Sequence, residues 1–161
     1  MHFTTSMHIV HSEVRAPRIS FIRPHAQFLR TKMEDYSVKG LIPWLYYNDL
    51  PRAMKFYEEV MGFEMVVDQG WSKIYKIRDG AYLGLVDGEK GYHRASDTKP
   101  VIICINVHDA DAWYQRLVAK GVEIEKQPQE SERLKIKVFM LKDPEGYVLE
   151  IQESLPGALS I

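Results

Sequence analysis

A pattern of apolar and polar residues occurs twice along this chain of 161 residues. In its first copy, the run LIPWLYY from Leu41 is typical of a β-strand, and the residues after it are apolar at every third or fourth position, as in an amphipathic helix. Asp49 marks the start of that helix and Gly62 its end. Three more strand-like runs follow, FEMVV from Phe63, WSKIYKI from Trp71 and AYLGLV from Ala81. The first copy therefore predicts the order β-α-β-β-β.

The same order returns with VIICINV, the strand-like run from Val101. Asp109 marks the start of the second predicted helix and Gly121 its end. Their spacing is nearly that of Asp49 and Gly62 in the first copy. Three more predicted strands follow, VEIEK, LKIKVFML and YVLEIQ. A period of about 60 residues is too long for a solenoid repeat. The pattern predicts an α+β domain of two tandem βαβββ modules.

The pattern also sets the expected boundaries. We place the domain at residues 40–155, with module one at 40–90, module two at 100–153 and a C-terminal tail at 156–161. The segment that joins the modules is polar and carries His93 and Arg94.

Residues 1–39 lack this order and are interpreted as an N-terminal extension, poorly ordered or non-essential. Their first 32 residues hold five basic residues and one acidic residue. An upstream start before Met33 is part of the favoured interpretation. An ordered arm and a targeting peptide are the alternatives, although the apolar core of a secretory signal is missing.

Charge and composition exclude several classes of function. The chain has 21 basic and 22 acidic residues, so its net charge of −1 offers no field that attracts nucleic acid or an anionic membrane. No apolar run approaches the roughly 18 residues of a membrane-spanning helix. The single cysteine, Cys104, cannot form an internal disulfide. These features predict a cytoplasmic protein without nucleic-acid or membrane partners.

Alternate residues of a strand share a face, so the predicted strands define two faces of a sheet. One set is apolar throughout and is expected to lie under the helices: Leu83, Leu85, Val101, Ile103, Ile105, Val107, Leu149 and Ile151. The other set is mixed: Ile42, Trp44, Tyr46, Tyr82, Gly84, Val86, Ile102, Cys104, Asn106, Val148, Glu150 and Gln152. A face that no helix covers and that carries these aromatic groups must line a cleft or meet a partner.

Two stretches of sequence carry a family resemblance. One runs from Asn48-Asp49-Leu50 through Phe56-Tyr57 to Met61-Gly62-Phe63, and the other is Asp143-Pro144-Glu145-Gly146 followed by Glu150. With the duplication, they make the chain from about residue 40 to 153 resemble the vicinal oxygen chelate superfamily, which includes glyoxalase I, bleomycin resistance proteins and extradiol dioxygenases. The resemblance implies a curved mixed sheet around a cleft, helices on the outer face, and a homodimer.

In metal-dependent members of that superfamily, a divalent ion is held by side chains on the first and last strands of each module. The repeat maps those positions to Ile42, Gly84, Ile102 and Glu150. Only Glu150 can bind a metal, and one carboxylate cannot supply the three or four ligands of a catalytic ion. We therefore expect no cofactor at this position. A divalent metal held by residues of two chains stays an alternative.

The mixed face supplies the candidate site residues. Aromatic walls suit flat, weakly polar ligands, although the same residues could fill a dimer interface. Glu150 would lose hydration beside apolar neighbours and is the candidate general base, with a solvated or paired carboxylate as the alternative. Cys104 is expected to be a small buried residue in a central strand. The candidate ligand-binding residues are Trp44, Tyr46, Tyr82, Asn106, His93 and Arg94.

Three functions follow from these observations. The favoured one is a metal-free protein of the bleomycin-resistance type that binds a small aromatic or hydrophobic molecule in a dimeric cleft. The second is an enzyme, either a glyoxalase-type lyase or isomerase or a dioxygenase with an altered metal site, or a metal-free catalyst that uses Glu150. The third is a module that serves only for dimerisation.

Overall fold

The computed structural model describes residues 37–158. The predicted N-terminal extension, apart from its last three residues, and the end of the C-terminal tail lie outside this range. The described elements are β1 (Trp44–Tyr47), α1 (Leu50–Lys55), a π-helical segment (Phe56–Met61), β2 (Glu64–Asp68), β3 (Ser72–Arg78), β4 (Ala81–Asp87), β5 (Ile102–Val107), α2 (Ala110–Ala119), β6 (Ile124–Ser131), β7 (Ile136–Lys142) and β8 (Val148–Ser154).

The strands form two four-stranded mixed sheets with the same connectivity. The strand order is β1-β4-β3-β2 in the first sheet and β5-β8-β7-β6 in the second. In each sheet the first strand of the module runs parallel to the last, and all other pairs are antiparallel. This arrangement confirms the predicted α+β fold of two tandem βαβββ modules.

The first predicted helix changes its hydrogen-bonding pattern halfway. Asp49 caps its start by accepting from the backbone N–H of Arg52, and Gly62 ends it in the left-handed conformation at φ 77°. Between them, the last six residues form a π-helix, in which hydrogen bonds span five residues instead of four. Phe56 is buried on this wider turn, although it lies outside the apolar stripe that the spacing predicts for this helix, which consists of Leu50, Ala53, Met54, Tyr57, Val60 and Met61.

The helix-facing set of strand residues is buried with one exception. Six of its eight members are less than one tenth exposed and Val107 is half-buried. Val101 is 39% exposed, so its assignment to the core was wrong. It precedes the first residue of β5, and the alternation of the strand does not yet apply to it.

The two modules are joined where the turn before β8 meets the end of β1. Asp143, which is 5% exposed, accepts hydrogen bonds from the hydroxyls of Tyr47 and Tyr57 over 2.7 and 3.1 Å. The hydroxyl of Tyr147 bonds to the backbone of Tyr46. A buried polar network therefore links the modules, with each described member hydrogen-bonded.

A second junction lies at the other end of the first helix. Arg116 of α2 donates to the carbonyl oxygens of Val60 and Met61, and Lys120 donates to that of Glu59 over 2.6 Å. These carbonyls belong to the last turn of the π-helical segment, where a helix has no N–H donors of its own for its carbonyl oxygens. Module two thus caps the C-terminal end of the helix of module one.

Candidate functional site

The uncovered face of the first sheet carries three of the predicted ligand-binding aromatic residues. Trp44 is 40% exposed, whereas Tyr46 and Tyr82 are half-buried. Trp44 lies opposite Gly84 in the register between β1 and β4, and Tyr46 lies opposite Val86. The structure therefore brings Trp44, Tyr46 and Tyr82 to one sheet, as the alternation predicted.

The indole of Trp44 lies directly over Gly84. A β-carbon at residue 84 would stand 2.2 Å from Cε3 of that ring and 2.7 Å from two further ring carbons. No side chain fits at residue 84 unless the indole moves. An aromatic ring thus occupies the space that a ligating side chain at this position would need.

The segment between the modules borders the same face. The ring of His93 meets the ring of Tyr46 edge to face at 5.4 Å between centroids. Gly91 lies close enough that an added β-carbon would stand 2.7 Å from Tyr46 Cε1. Arg94 donates to the carbonyl oxygens of Gly88 and Glu89, so its guanidinium stabilises the conformation of the segment to which it belongs. A role of Arg94 in binding a ligand stays a prediction.

The uncovered face of the second sheet is more open. Ile102 is 53% exposed, and Cys104 and Asn106 are exposed beside it on β5. The prediction of a buried Cys104 in a central strand was wrong, because β5 is the outermost strand of its sheet. An outer strand has a neighbour on one side only, which leaves its side chains accessible.

Cys104 and Glu150 form the polar pair of this face. They lie opposite each other in the register between β5 and β8, and the carboxylate is half-buried. Partial burial of the sulfur, together with the neighbouring carboxylate of Glu150, raises the pKa of the Cys104 thiol to about 11. The thiol is therefore protonated at neutral pH and is a poor nucleophile.

The four positions that correspond to metal ligands in the superfamily do not fit a divalent ion. Ile42 and Ile102 offer only hydrocarbon, and Gly84 has no side chain and lies under an indole. Glu150 is the one carboxylate of the set. Within residues 37–158, no three His, Cys, Asp or Glu side chains lie close enough together to hold a metal ion.

A groove at the start of α2 was not predicted from the sequence. Its volume is about 690 Å³, and residues of both modules line it: Phe63, Ile77, Arg78, Ile105, Asn106, Val107, His108, Asp109, Ala112 and Trp113. Asn106, predicted to bind a ligand on the uncovered face, stands at the edge of this groove. The two turns that precede β4 and β8 are equivalent in the repeat but differ in length. This difference is the sequence signal that could have revealed the groove.

No helix of the described part of the chain is both long and apolar enough to cross a membrane.

Comparison with known proteins places the fold. A Bacillus subtilis (strain 168) protein, the uncharacterized protein YraH, is 24% identical over 118 residues, which are 67% of this chain and 92% of that protein. TioX from Micromonospora sp. ML1 superposes with a TM-score of 0.62 at 20% identity, covering 72% of this chain and 98% of TioX. A lactoylglutathione lyase from Agrobacterium tumefaciens gives a TM-score of 0.59 at 24% identity, covering 70% and 91%.

The family model of the Glyoxalase/Bleomycin resistance protein/Dioxygenase superfamily matches residues 38–151, which span both modules. The chain belongs to this superfamily.

Proposed function

We propose that this protein binds a small aromatic or hydrophobic molecule on the uncovered faces of its sheets, without a metal ion. The contact between Trp44 and Gly84 carries this proposal. An indole that is 40% exposed offers a flat apolar surface for stacking, in the place where metal-dependent relatives need a ligating side chain.

The second sheet supports the same conclusion. Its uncovered face presents the exposed side chain of Ile102 beside Cys104, whose thiol is uncharged at neutral pH. Such a surface favours a ligand of low polarity without an acid group, because an anion buried there would meet the carboxylate of Glu150. We expect a second copy of the chain to complete the cleft, since members of the superfamily often form dimers. The expected location of the protein is the cytoplasm.

Ligand binding can be tested with fluorotryptophan labels. The three tryptophans lie in different places, Trp44 on the uncovered face, Trp71 directly before β3 and Trp113 on α2. A library of aromatic and hydrophobic compounds is screened by ¹⁹F NMR, with each resonance assigned by substitution. We expect bound compounds to shift the Trp44 resonance, and Trp44→Ala to weaken their binding at least tenfold.

Trp71→Ala is the matched control, because Trp71 is 42% exposed, close to the value for Trp44. It should change the affinity less than twofold. The proposal is contradicted if no compound of the library shifts the Trp44 resonance. It is also contradicted if the compounds bind Trp44→Ala as tightly as they bind the natural sequence.

An enzyme is the second candidate, and the position of Glu150 favours it. Its half-buried carboxylate lies on the uncovered face and could accept a proton from a bound substrate. The similarity to a lactoylglutathione lyase suggests lyase or isomerase substrates as the first to test. If turnover is found, Glu150→Gln should lower kcat at least a hundredfold. Unchanged turnover would remove Glu150 from the reaction.

A further inference from the structure

The two modules can be compared at the starts of their helices, and they differ there in the carboxylates that accept from the backbone. In module one, the carboxylate of Glu145 accepts from the backbone N–H groups of Asn48 and Asp49 over 2.9 and 2.6 Å. The side-chain amide of Asn48 adds a third bond to the same carboxylate. This carboxylate lies at the positive end of the helix dipole, where an anion is stabilised.

In module two, the equivalent place holds the groove of about 690 Å³. His108 and Asp109 correspond to Asn48 and Asp49, and the backbone N–H groups of His108 and Asp109 donate to no residue within 37–158. Asp79 holds the turn position that corresponds to Glu145. Its carboxylate is 94% exposed and pairs with Lys76 instead, so it does not reach the helix start.

The groove has the charges and the walls of a site for an organic acid. Arg78 lines it from module one and forms no ion pair within the described residues. The acidic neighbours are already engaged, since Asp109 accepts from the N–H of Ala112 and Glu153 accepts from that of Ala110. Within residues 37–158, a further carboxylate would therefore find one guanidinium without an ion pair and two backbone N–H groups without an acceptor.

The remaining walls are apolar. Phe63 and Ile77 come from module one and Trp113 from α2, with the guanidinium of Arg116 stacked 5.2 Å from the Trp113 ring. The volume falls within the range of about 300 to 1,000 Å³ that is typical of small-molecule sites. The occupant should thus have an apolar body in addition to its acid group.

We propose that this groove binds a small carboxylic acid with an aromatic or aliphatic body, whose carboxylate takes the place that Glu145 holds in the other half of the molecule. The apolar body lies against Trp113 and Phe63, and the acid group meets Arg78. This site is separate from the Trp44 surface, and the proposal does not rest on the proposed function.

The test uses 3-phenylpropanoate as the probe and 3-phenylpropanamide as its uncharged counterpart, on the full chain with fluorinated tryptophan at pH 7. We expect the acid to shift the Trp113 resonance and to saturate, leaving Trp44 unchanged. The amide should bind at least tenfold more weakly. Arg78→Gln should weaken binding of the acid at least tenfold, whereas Arg133→Gln, which removes an exposed cation from the turn after β6, should change it less than twofold.

A second variant tests the groove itself. Ala112→Phe adds a ring to an exposed helix position on the groove wall, retains Arg78, and should abolish binding. Equal affinities for the acid and the amide, or unchanged binding by Arg78→Gln, would overturn the proposal. So would a Trp113 resonance that shifts with protein concentration and not with the acid, because a second copy would then cover the groove.

The Trp44 and Trp113 resonances keep the two proposals distinguishable. If no ligand shifts the Trp44 resonance, the proposed function is contradicted but the proposed acid site is not. If the acid does not shift the Trp113 resonance, the acid site is contradicted but the proposed function is not.

Discussion

The hydroxyl of Tyr47 donates to Oδ2 of Asp143 over 2.7 Å, across 96 positions of the sequence. The same carboxylate accepts from Tyr57 and, through Oδ1, from the backbone N–H groups of Glu145 and Tyr147. Burial and the neighbouring Asp143 raise the pKa of Tyr57 and of Tyr47 well above the ordinary range. Both hydroxyls therefore stay protonated and act as donors across the accessible pH range.

We predict that Asp143→Ala lowers the free energy of unfolding by about 3 kcal/mol, because it leaves several buried donors without an acceptor. Tyr47→Phe removes one hydroxyl from the same network and should cost about 1 kcal/mol. Urea unfolding measures both. Equal costs for the two substitutions would contradict a central role of the carboxylate.

The Trp44–Gly84 contact can be measured by a double-mutant cycle. Gly84→Ala should lower the free energy of unfolding by about 2 kcal/mol, because the new methyl group collides with the indole 2.2 Å away. In a Trp44→Ala background the same substitution should be neutral or stabilising, since glycine is a weak strand residue. If Gly84→Ala costs the same in both backgrounds, the indole does not fill the space over residue 84.

The reactivity of Cys104 should follow its raised pKa. Alkylation by iodoacetamide should accelerate up to a midpoint near pH 11, so that at pH 8 the reaction is about 100-fold slower than for an ordinary thiol. Glu150→Gln removes the carboxylate that disfavours the thiolate and should lower this midpoint. It should not restore the ordinary value, because burial is the larger cause. Glu130→Gln, on β6, is the control and should leave the profile unchanged.

Metal binding is predicted to be weak. Protein equilibrated with Mn, Fe, Co, Ni or Zn and then dialysed should retain far less than one ion per chain, and Glu150→Ala should not change this content. One carboxylate among two isoleucines and a glycine cannot replace the ligand set of a divalent ion. Near-stoichiometric metal that disappears in Glu150→Ala would instead favour the enzyme.

Much of the fold could be predicted because its signals are local. The caps at Asp49 and Asp109 and the left-handed glycine at residue 62 lie where the sequence placed them. The alternation of strand residues also brought Trp44 and Gly84 to one face. It could not reveal that they are direct neighbours, since this depends on the pairing of β1 with β4, 40 positions apart.

The predictions that the structure did not confirm concern features without a local pattern in the sequence. The exposure of Cys104 depends on the position of β5 in its sheet, which periodicity does not determine. In the π-helical segment each hydrogen bond spans one residue more than in an α-helix, and Phe56 lies on its buried side, which the spacing of apolar residues did not indicate. The unequal length of the turns before β4 and β8 is visible in the sequence, but that residues of both modules line a groove at α2 depends on how the modules pack.

The capping of the first helix by Glu145, Arg116 and Lys120 has a consequence for synthesis of the chain. The helix is complete by residue 61, but all three of its partners are translated later, and the last of them follows it by more than 80 residues. When only module one has left the ribosome, the helix has its own caps at Asp49 and Gly62, but the backbone groups that later bond to Glu145, Arg116 and Lys120 still bond to water. The first helix of the described residues thus acquires its last capping partner only when most of module two has been translated.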